Sequence, residues 1–258
     1  MTRYALRLLS SLVLVSVSVL PAAAARPDSS IFGNLSIRYW LANDILGVNQ
    51  TAGTQQASEL RTFDYGMVEV DSSYWFGTVR QEQLLNLGAL FGVGFSFGFG
   101  GFSLTVPNTD PVTVNTHYLN FDLLKFRILG DPEGPANLIA TANYTNFANG
   151  AVQLSNFAGL GLGLEGKKDL GPWGDLYFKS MIIPFPITAG TSGLAALEIG
   201  SRWVVAPNVR LNLAYKGLFA GLSVDQTATP TGSTTPTTVH MTLWDVFHGP
   251  EFGTTFTF

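Results

Sequence analysis

The sequence lacks cysteine entirely, and charged residues make up only 12% of its 258 residues. The absence of cysteine excludes disulfides, thiolate metal sites and a lipid-modified cysteine after a leader sequence. Soluble domains carry about a quarter charged residues, so half that fraction indicates a surface that does not face water. The 14 Lys and Arg residues form no basic stripe, which argues against a nucleic-acid partner.

Long apolar runs are also scarce, because only residues 85–106 form a charge-free run long enough for a membrane-spanning helix. Within this run, large residues alternate with small ones, which is the period of a β-strand. A helix would scatter the phenylalanines over its circumference and hold six glycines in its interior, at about 1 kcal/mol each relative to alanine. The spacing of Gly88 and Gly92, and of Gly94 and Gly98, keeps a packed membrane helix open as an alternative.

A strand that carries large apolar side chains on one face and small side chains on the other suits a position between lipid and the crowded interior of a protein. Unpaired backbone groups in a bilayer cost several kcal/mol each, so such a strand must belong to a closed barrel. The sequence therefore predicts an all-β fold, a transmembrane antiparallel up-and-down β-barrel.

The first residues have the pattern of an export signal. Arg3 and Arg7 are followed by an apolar core at residues 8–20 and by small residues at 22–25. We predict a cleaved secretory signal peptide at residues 1–25 and one barrel domain at residues 26–258. Removal of the two arginines changes the net charge from 14 − 18 = −4 to 12 − 18 = −6.

Alternating segments recur through the chain and predict about ten strands, with eight or twelve also possible. Longer polar connections are expected on the outer side and short turns on the periplasmic side. The predicted outer loops are residues 43–59, 107–113, 184–193 and 225–238, the last a flexible Thr/Pro-rich loop, and the predicted turns are 130–135, 167–174 and 206–208. Residues 78–84 connect two strands, and the stretch RQEQLLNL at residues 80–87 could instead form a short helix.

Three irregularities are expected within the strands. The apolar phase changes after Gly100 and again near Leu123, and each change predicts a β-bulge or bend. Pro184 and Pro186 are expected to end a strand, since proline cannot donate to the ladder.

The chain ends with an alternating aromatic strand that carries Phe252, Thr254, Phe256 and Phe258 on one face. This ending resembles the closing strand of bacterial outer-membrane β-barrels. The resemblance implies a Gram-negative-type outer membrane, contact with its lipid, and recognition of the Phe258 strand by the barrel-assembly machinery.

The strand period assigns residues to the two faces of the barrel. Residues predicted to face lipid include Phe91, Phe95, Phe97, Phe99, Phe256 and Phe258. A charged set of both signs is predicted to face the lumen: Arg38, Glu69, Asp71, Lys125, Arg127, Glu165, Lys179, Glu198, Arg202, Arg210 and Lys216. These charges indicate either a lumen packed with salt bridges or a narrow polar pore that selects small solutes.

Catalytic and cofactor-binding patterns are weak. His117, His240 and His248 do not follow the close His/Ser spacing of outer-membrane lipid hydrolases, although Asp245 and His248 could form an Asp/His arrangement. Paired histidines with metal-ligand spacing are missing, and the glycine-rich run has no nucleotide-binding motif. We therefore expect no enzyme activity, no cofactor and no metal site.

The sequence favours a structural barrel or a narrow passive channel for small solutes. One alternative is a surface-exposed adhesive or binding barrel that acts through its outer loops. A second alternative is an outer-membrane enzyme that acts on envelope lipid.

Overall fold

Ten antiparallel strands form a closed barrel in which the first strand pairs with the last. The computed structural model describes residues 31–53, 55–76, 91–104, 112–130, 135–149, 156–187, 191–228 and 237–258. The strands are β1 (Ile31–Ala52), β2 (Gln55–Phe76), β3 (Phe91–Leu104), β4 (Val112–Leu129), β5 (Ala136–Asn149), β6 (Asn156–Asp169), β7 (Gly174–Pro186), β8 (Thr191–Ala206), β9 (Val209–Ala228) and β10 (Thr237–Thr257). The predicted signal peptide and the possible helix at 80–87 lie outside the described residues.

Closure of the barrel joins the two ends of the described chain. Gly33 and Phe258 exchange two backbone hydrogen bonds of 3.0 Å each. The β1–β10 ladder then runs from Asn34 opposite Thr257 to Ala52 opposite Val239. The sheet therefore has no free edge, as a bilayer requires. Among the described residues, no helix is long and apolar enough to cross a membrane.

The small residues of β3 are required by the interior of the barrel. A Cβ atom on Gly98 would lie 2.8 Å from the Met67 sulfur, and one on Gly94 would lie 2.8 Å from an Asp122 carboxylate oxygen. Phe97 and Phe99 point the other way and are exposed. The predicted strand with one large and one small face is confirmed, and the helical alternative is wrong.

Strand covers parts of two predicted loops. β1 and β2 pair as far as Ala52 opposite Gln55, so residues 43–52 and 55–59 of the loop expected at 43–59 are strand. β9 and β10 pair as far as Ala228 opposite Thr237, which covers both ends of the loop expected at 225–238. The prediction failed because these extensions have no regular apolar period: Ile45 and Leu46 are adjacent in β1, and residues 55–59 and 225–228 are mostly polar.

The predicted irregularities have different outcomes. The bulge near Leu123 is confirmed. The β4–β5 ladder shifts register between Asp122 and Leu124, and the β3–β4 ladder shifts between Asp122 and Lys125. The bulge expected after Gly100 is wrong, because the β3–β4 ladder continues without a shift through Gly100 and Gly101.

The strand end expected at Pro184 is only half correct. The β7–β8 ladder stops at Ile183, but β6 and β7 pair through Pro186 after a register shift. Pro184 thus lies in the bulge on the β6 side and beyond the end of the β7–β8 ladder, a position that tolerates its missing N–H group.

Candidate functional site: the barrel lumen

Arg38 of β1 lies at the centre of a buried ion-pair network in the lumen. Its guanidinium nitrogens lie 2.5 Å from Glu198 of β8, 2.7 Å from Glu69 of β2 and 2.8 Å from Glu251 of β10. Asp71 of β2 follows at 3.5 Å. Arg38 is 4% exposed, and its side chain joins β1 to its two ladder neighbours, β2 and β10, and across the interior to β8.

Three lysines supply further positive charge to the same network. Lys216 of β9 pairs with Glu69, and Lys179 of β7 lies 2.9 Å from Asp71. Lys125 of β4 binds the Glu165 carboxylate at 2.8 Å and donates to the Ser73 hydroxyl at 2.8 Å. Eight strands therefore contribute charged groups that bind each other.

A second ion cluster lies nearer the end of the barrel that carries the chain termini. Asp175 of β7 is fully buried, and it pairs with Arg202 at 2.6 Å and with Arg210. The Arg202 guanidinium also lies 4.8 Å from the centre of the Tyr177 ring. This cluster ties β7, β8 and β9 together.

The structure places the whole predicted charged set on the inward face, including Arg127, which follows Lys125 by two residues in β4. The prediction omitted three partners, Asp122, Asp175 and Glu251. Glu251 alternates with Phe252 in β10, so the strand period could have identified it. Which charges pair across the lumen depends on barrel closure and was not readable from the sequence.

The other half of the lumen, beyond Arg38 and towards the end away from the termini, contains a large group of buried apolar side chains, with the carboxylates of Asp44 and Asp245 buried beside them. We call this group the apolar plug, and its members include Trp40, Tyr65, Met67, Tyr118, Phe147, Phe157, Ile183, Leu194, Leu218, Leu222, Leu243 and Phe247. Phe247 is fully buried, and its ring centre lies 5.2 Å from that of Phe147, 5.3 Å from Tyr65 and 6.3 Å from Trp40. Such spacings are those of packed aromatic pairs.

The plug and the ion network meet without leaving a wide passage. The Lys216 ammonium lies 5.0 Å from the ring centres of both Trp40 and Tyr118. Two small cavities lined by residues of the network have volumes of about 80 Å³ and about 60 Å³.

The predicted lipid-facing phenylalanines lie on the outer face. Phe91, Phe97, Phe99 and Phe258 are 47%, 42%, 53% and 52% exposed, while Phe95 and Phe256 are half-buried. The Phe258 ring also packs against Tyr74, with ring centres 5.8 Å apart.

The histidines do not form the predicted Asp/His arrangement. Asp245 is buried in the lumen, whereas His248 lies on the outer face, where its ring nitrogen is 2.7 Å from the Tyr215 hydroxyl. Odd and even positions of a strand point to opposite faces, so residues 245 and 248 cannot share a site. His117 is exposed, and His240 contacts Asp225 on the outer face.

No protein-family model and no curated protein sequence matches the chain. Among solved structures, it is similar to the outer membrane protease OmpT from Escherichia coli, with a TM-score of 0.55, 10% identity, and coverage of 92% of this chain and 99% of that chain. A Pseudomonas aeruginosa FadL homologue has a TM-score of 0.37 at 10% identity, covering 88% of this chain and 90% of that chain. OprG from the same organism has a TM-score of 0.34 at 8% identity, covering 88% and 96%. The likeness to OmpT concerns the fold alone, and the fold of this chain is that of a bacterial outer-membrane β-barrel.

Proposed function

We propose that this chain is an integral protein of a bacterial outer membrane whose barrel is closed to solutes at rest. It acts as a structural barrel, and any exchange with its surroundings takes place at its outer surface. Export by an amino-terminal signal peptide and assembly through the Phe258 strand belong to the same proposal.

The apolar plug is the observation that carries this proposal. An ion that crosses the barrel would have to pass the rings of Trp40, Phe147 and Phe247, which are 1%, 1% and 0% exposed. A dry constriction lined by apolar side chains blocks ions because it offers them no replacement for water. The charged half of the lumen favours the same conclusion, since its carboxylates and cations bind each other.

Planar-bilayer recording tests this proposal. We expect the purified wild-type barrel to show no discrete conductance steps. The double variant Phe147→Ala/Phe247→Ala removes two facing rings of the plug, and we expect it to conduct. Anomalous gel mobility before boiling verifies that each protein is folded.

Phe219→Ala is the matched control, because Phe219 lies on the outer face of β9 and is 48% exposed. This variant removes a ring of the same size without widening the lumen, so it should remain silent. Reproducible conductance steps of the wild-type barrel would contradict a closed lumen and favour the passive channel.

A surface-binding function is a second candidate, and the β1–β2 hairpin supports it. Residues 55–62 of β2 are exposed at every position, so this end of the hairpin projects free of the barrel interior. Leu60, 63% exposed, offers an apolar contact there. Deletion of residues 50–60 should then abolish binding to a partner while the barrel stays folded.

A further inference from the structure

Four polar side chains meet on the outer face of β9 and β10. The His240 Nδ1 atom lies 2.6 Å from a carboxylate oxygen of Asp225. The other ring nitrogen, Nε2, lies 3.3 Å from the Ser223 hydroxyl and 3.5 Å from the Thr242 hydroxyl. One imidazole thus joins a carboxylate on one side to a hydroxyl on the other.

The sheet ladder holds these groups in register. His240 lies opposite Asp225, and Thr242 lies opposite Ser223. Directly opposite positions have Cβ atoms about 4.5–5.5 Å apart, and positions two residues apart on one strand share a face. The four side chains therefore form a rectangle fixed by backbone hydrogen bonds.

We propose that Ser223, His240 and Asp225 form a catalytic triad that hydrolyses carboxylic esters of lipids in the outer leaflet. Nucleophile, base and orienting carboxylate have the connectivity by which such triads are recognised, through geometry and roles and not through sequence order. Ser223 and Asp225 precede His240 in the chain, so the His/Ser sequence spacing could not reveal the site.

The reaction follows from the three roles. The Ser223 oxygen attacks the ester carbonyl carbon and gives its proton to His240 Nε2, while Asp225 accepts a hydrogen bond from Nδ1. Collapse of the adduct breaks the bond to the alcohol, which leaves with the proton from His240. Water then adds to the acyl-serine, again with His240 as base, and releases the fatty acid and free Ser223.

The position of the triad selects the substrate class. Outward residues of β9 are apolar, aromatic or glycine from Val209 to Phe219, and the polar positions Ser223 and Asp225 follow beyond Gly221. On the outer face of β10, moving away from the apolar band as on β9, Trp244 comes first and is followed by Thr242 and then His240. At about 3.3 Å per residue and a tilt of about 40°, Ser223 lies roughly 10 Å above Phe219. The outward residues from Val209 to Phe219 span about 25 Å on the same arithmetic, the height of the apolar band, so Ser223 lies on the headgroup side of that band.

Access to the site is open from the outside. The side chains of His240 and Asp225 are 54% and 69% exposed, so substrate and the water needed for deacylation can reach them. This inference rests on the outer-membrane location in the proposed function but not on the closed lumen. A conducting barrel would leave it intact.

The test uses the full-length purified barrel in detergent micelles with two probes, p-nitrophenyl butyrate and a fluorophosphonate that labels activated serines. We expect hydrolysis of the ester and labelling at Ser223, located by peptide mass spectrometry. Ser223→Ala should abolish labelling, and His240→Asn should lower hydrolysis about a hundredfold or more, the range for a lost general base. Asp225→Asn should lower it as well.

His248→Asn and Ser180→Ala are the matched controls, since both residues lie on the outer face away from the triad. Both variants should keep full hydrolysis and labelling, and gel mobility before boiling checks folding in every case. A wild-type barrel that neither hydrolyses the ester nor takes up the label would overturn the proposal, as would a Ser223→Ala variant that keeps both. Loss of activity in Thr242→Val but not in Ser223→Ala would overturn the choice of nucleophile.

A second measurement separates the substrate class from the location. Vesicles of diacyl phosphatidylethanolamine that contain the folded barrel should release free fatty acid. Cleavage of the soluble ester without cleavage of the vesicle lipid would overturn the lipid assignment, whereas failure of the barrel to insert into vesicles would contradict the proposed membrane location.

Discussion

Buried charge is the main feature of this molecule at the scale of single residues. Arg38 is shared by Glu69, Asp71, Glu198 and Glu251, and all of these contacts lie inside the barrel. Burial of a charge costs several kcal/mol unless opposite charges and hydrogen bonds compensate it. The network is therefore balanced as a unit, and loss of one central cation leaves several carboxylates close together without compensation.

We predict that Arg38→Met destabilises the folded barrel by about 3–5 kcal/mol, the cost of removing one partner from a buried pair. The methionine retains much of the packing volume, so the loss reports the missing charge. The free energy of unfolding is measured by urea titration of the barrel in lipid vesicles.

Arg61→Met provides the comparison, because Arg61 also lies 2.7 Å from a carboxylate, that of Glu59, but both side chains are more than half exposed. A surface pair contributes about 0–1 kcal/mol, so this variant should unfold almost as the wild type does. Equal destabilisation of the two variants would contradict the view that the lumen network is dry and interdependent.

At the scale of single elements, β3 combines both environments of the barrel in one strand. Phe97 and Phe99 lie outside, and Gly98 between them faces the crowded interior beside Met67 of the adjacent strand β2. A substitution on the outer face of β3 therefore tests whether lipid or water surrounds the barrel at that position, and it leaves the packing of the lumen unchanged.

We predict that Phe97→Arg destabilises the membrane-inserted barrel by about 2–4 kcal/mol, the cost of an arginine near the bilayer midplane. Leu60→Arg makes a similar apolar-to-charged change on the projecting part of β2, where the residue is 63% exposed, and it should have little effect. Folding yields and urea titrations in vesicles measure both. Similar losses for Phe97→Arg and Leu60→Arg would argue that β3 does not face lipid.

The same strand shows what the sequence can predict. Wherever one face contacts lipid, the period of two identified the strand, its faces and even the bulge at Leu123, because lipid exposure selects large apolar residues at every second position. Where strands extend past the lipid, this selection no longer acts. The outer parts of β1, β2, β9 and β10 were therefore predicted as loops. Pairings across the lumen, such as Arg38 with Glu198, depend on closure, so sequence indicated the inward charges without their partners.

At the scale of the whole molecule, the barrel has three zones. An apolar outer band surrounds the wall, a charged network fills the half of the lumen near the termini, and the apolar plug fills the other half. Outside the band, the polar ends of β9 and β10 place Ser223, His240 and Asp225 in contact with the surroundings. We therefore propose that the function of this barrel belongs to its outer surface.

The placement of the outer band in lipid is the claim on which the rest depends, and the absence of cysteine makes it directly measurable. Single cysteines that replace Phe91, Val93, Phe95, Phe97, Phe99 and Thr242, each carrying a spin label, report collisions with oxygen, which concentrates in lipid, and with a water-soluble nickel complex. We predict high oxygen and low nickel accessibility at the β3 positions, and the reverse at Thr242 above the band. High nickel accessibility at Phe95, Phe97 and Phe99 in the folded, vesicle-inserted barrel would contradict the account.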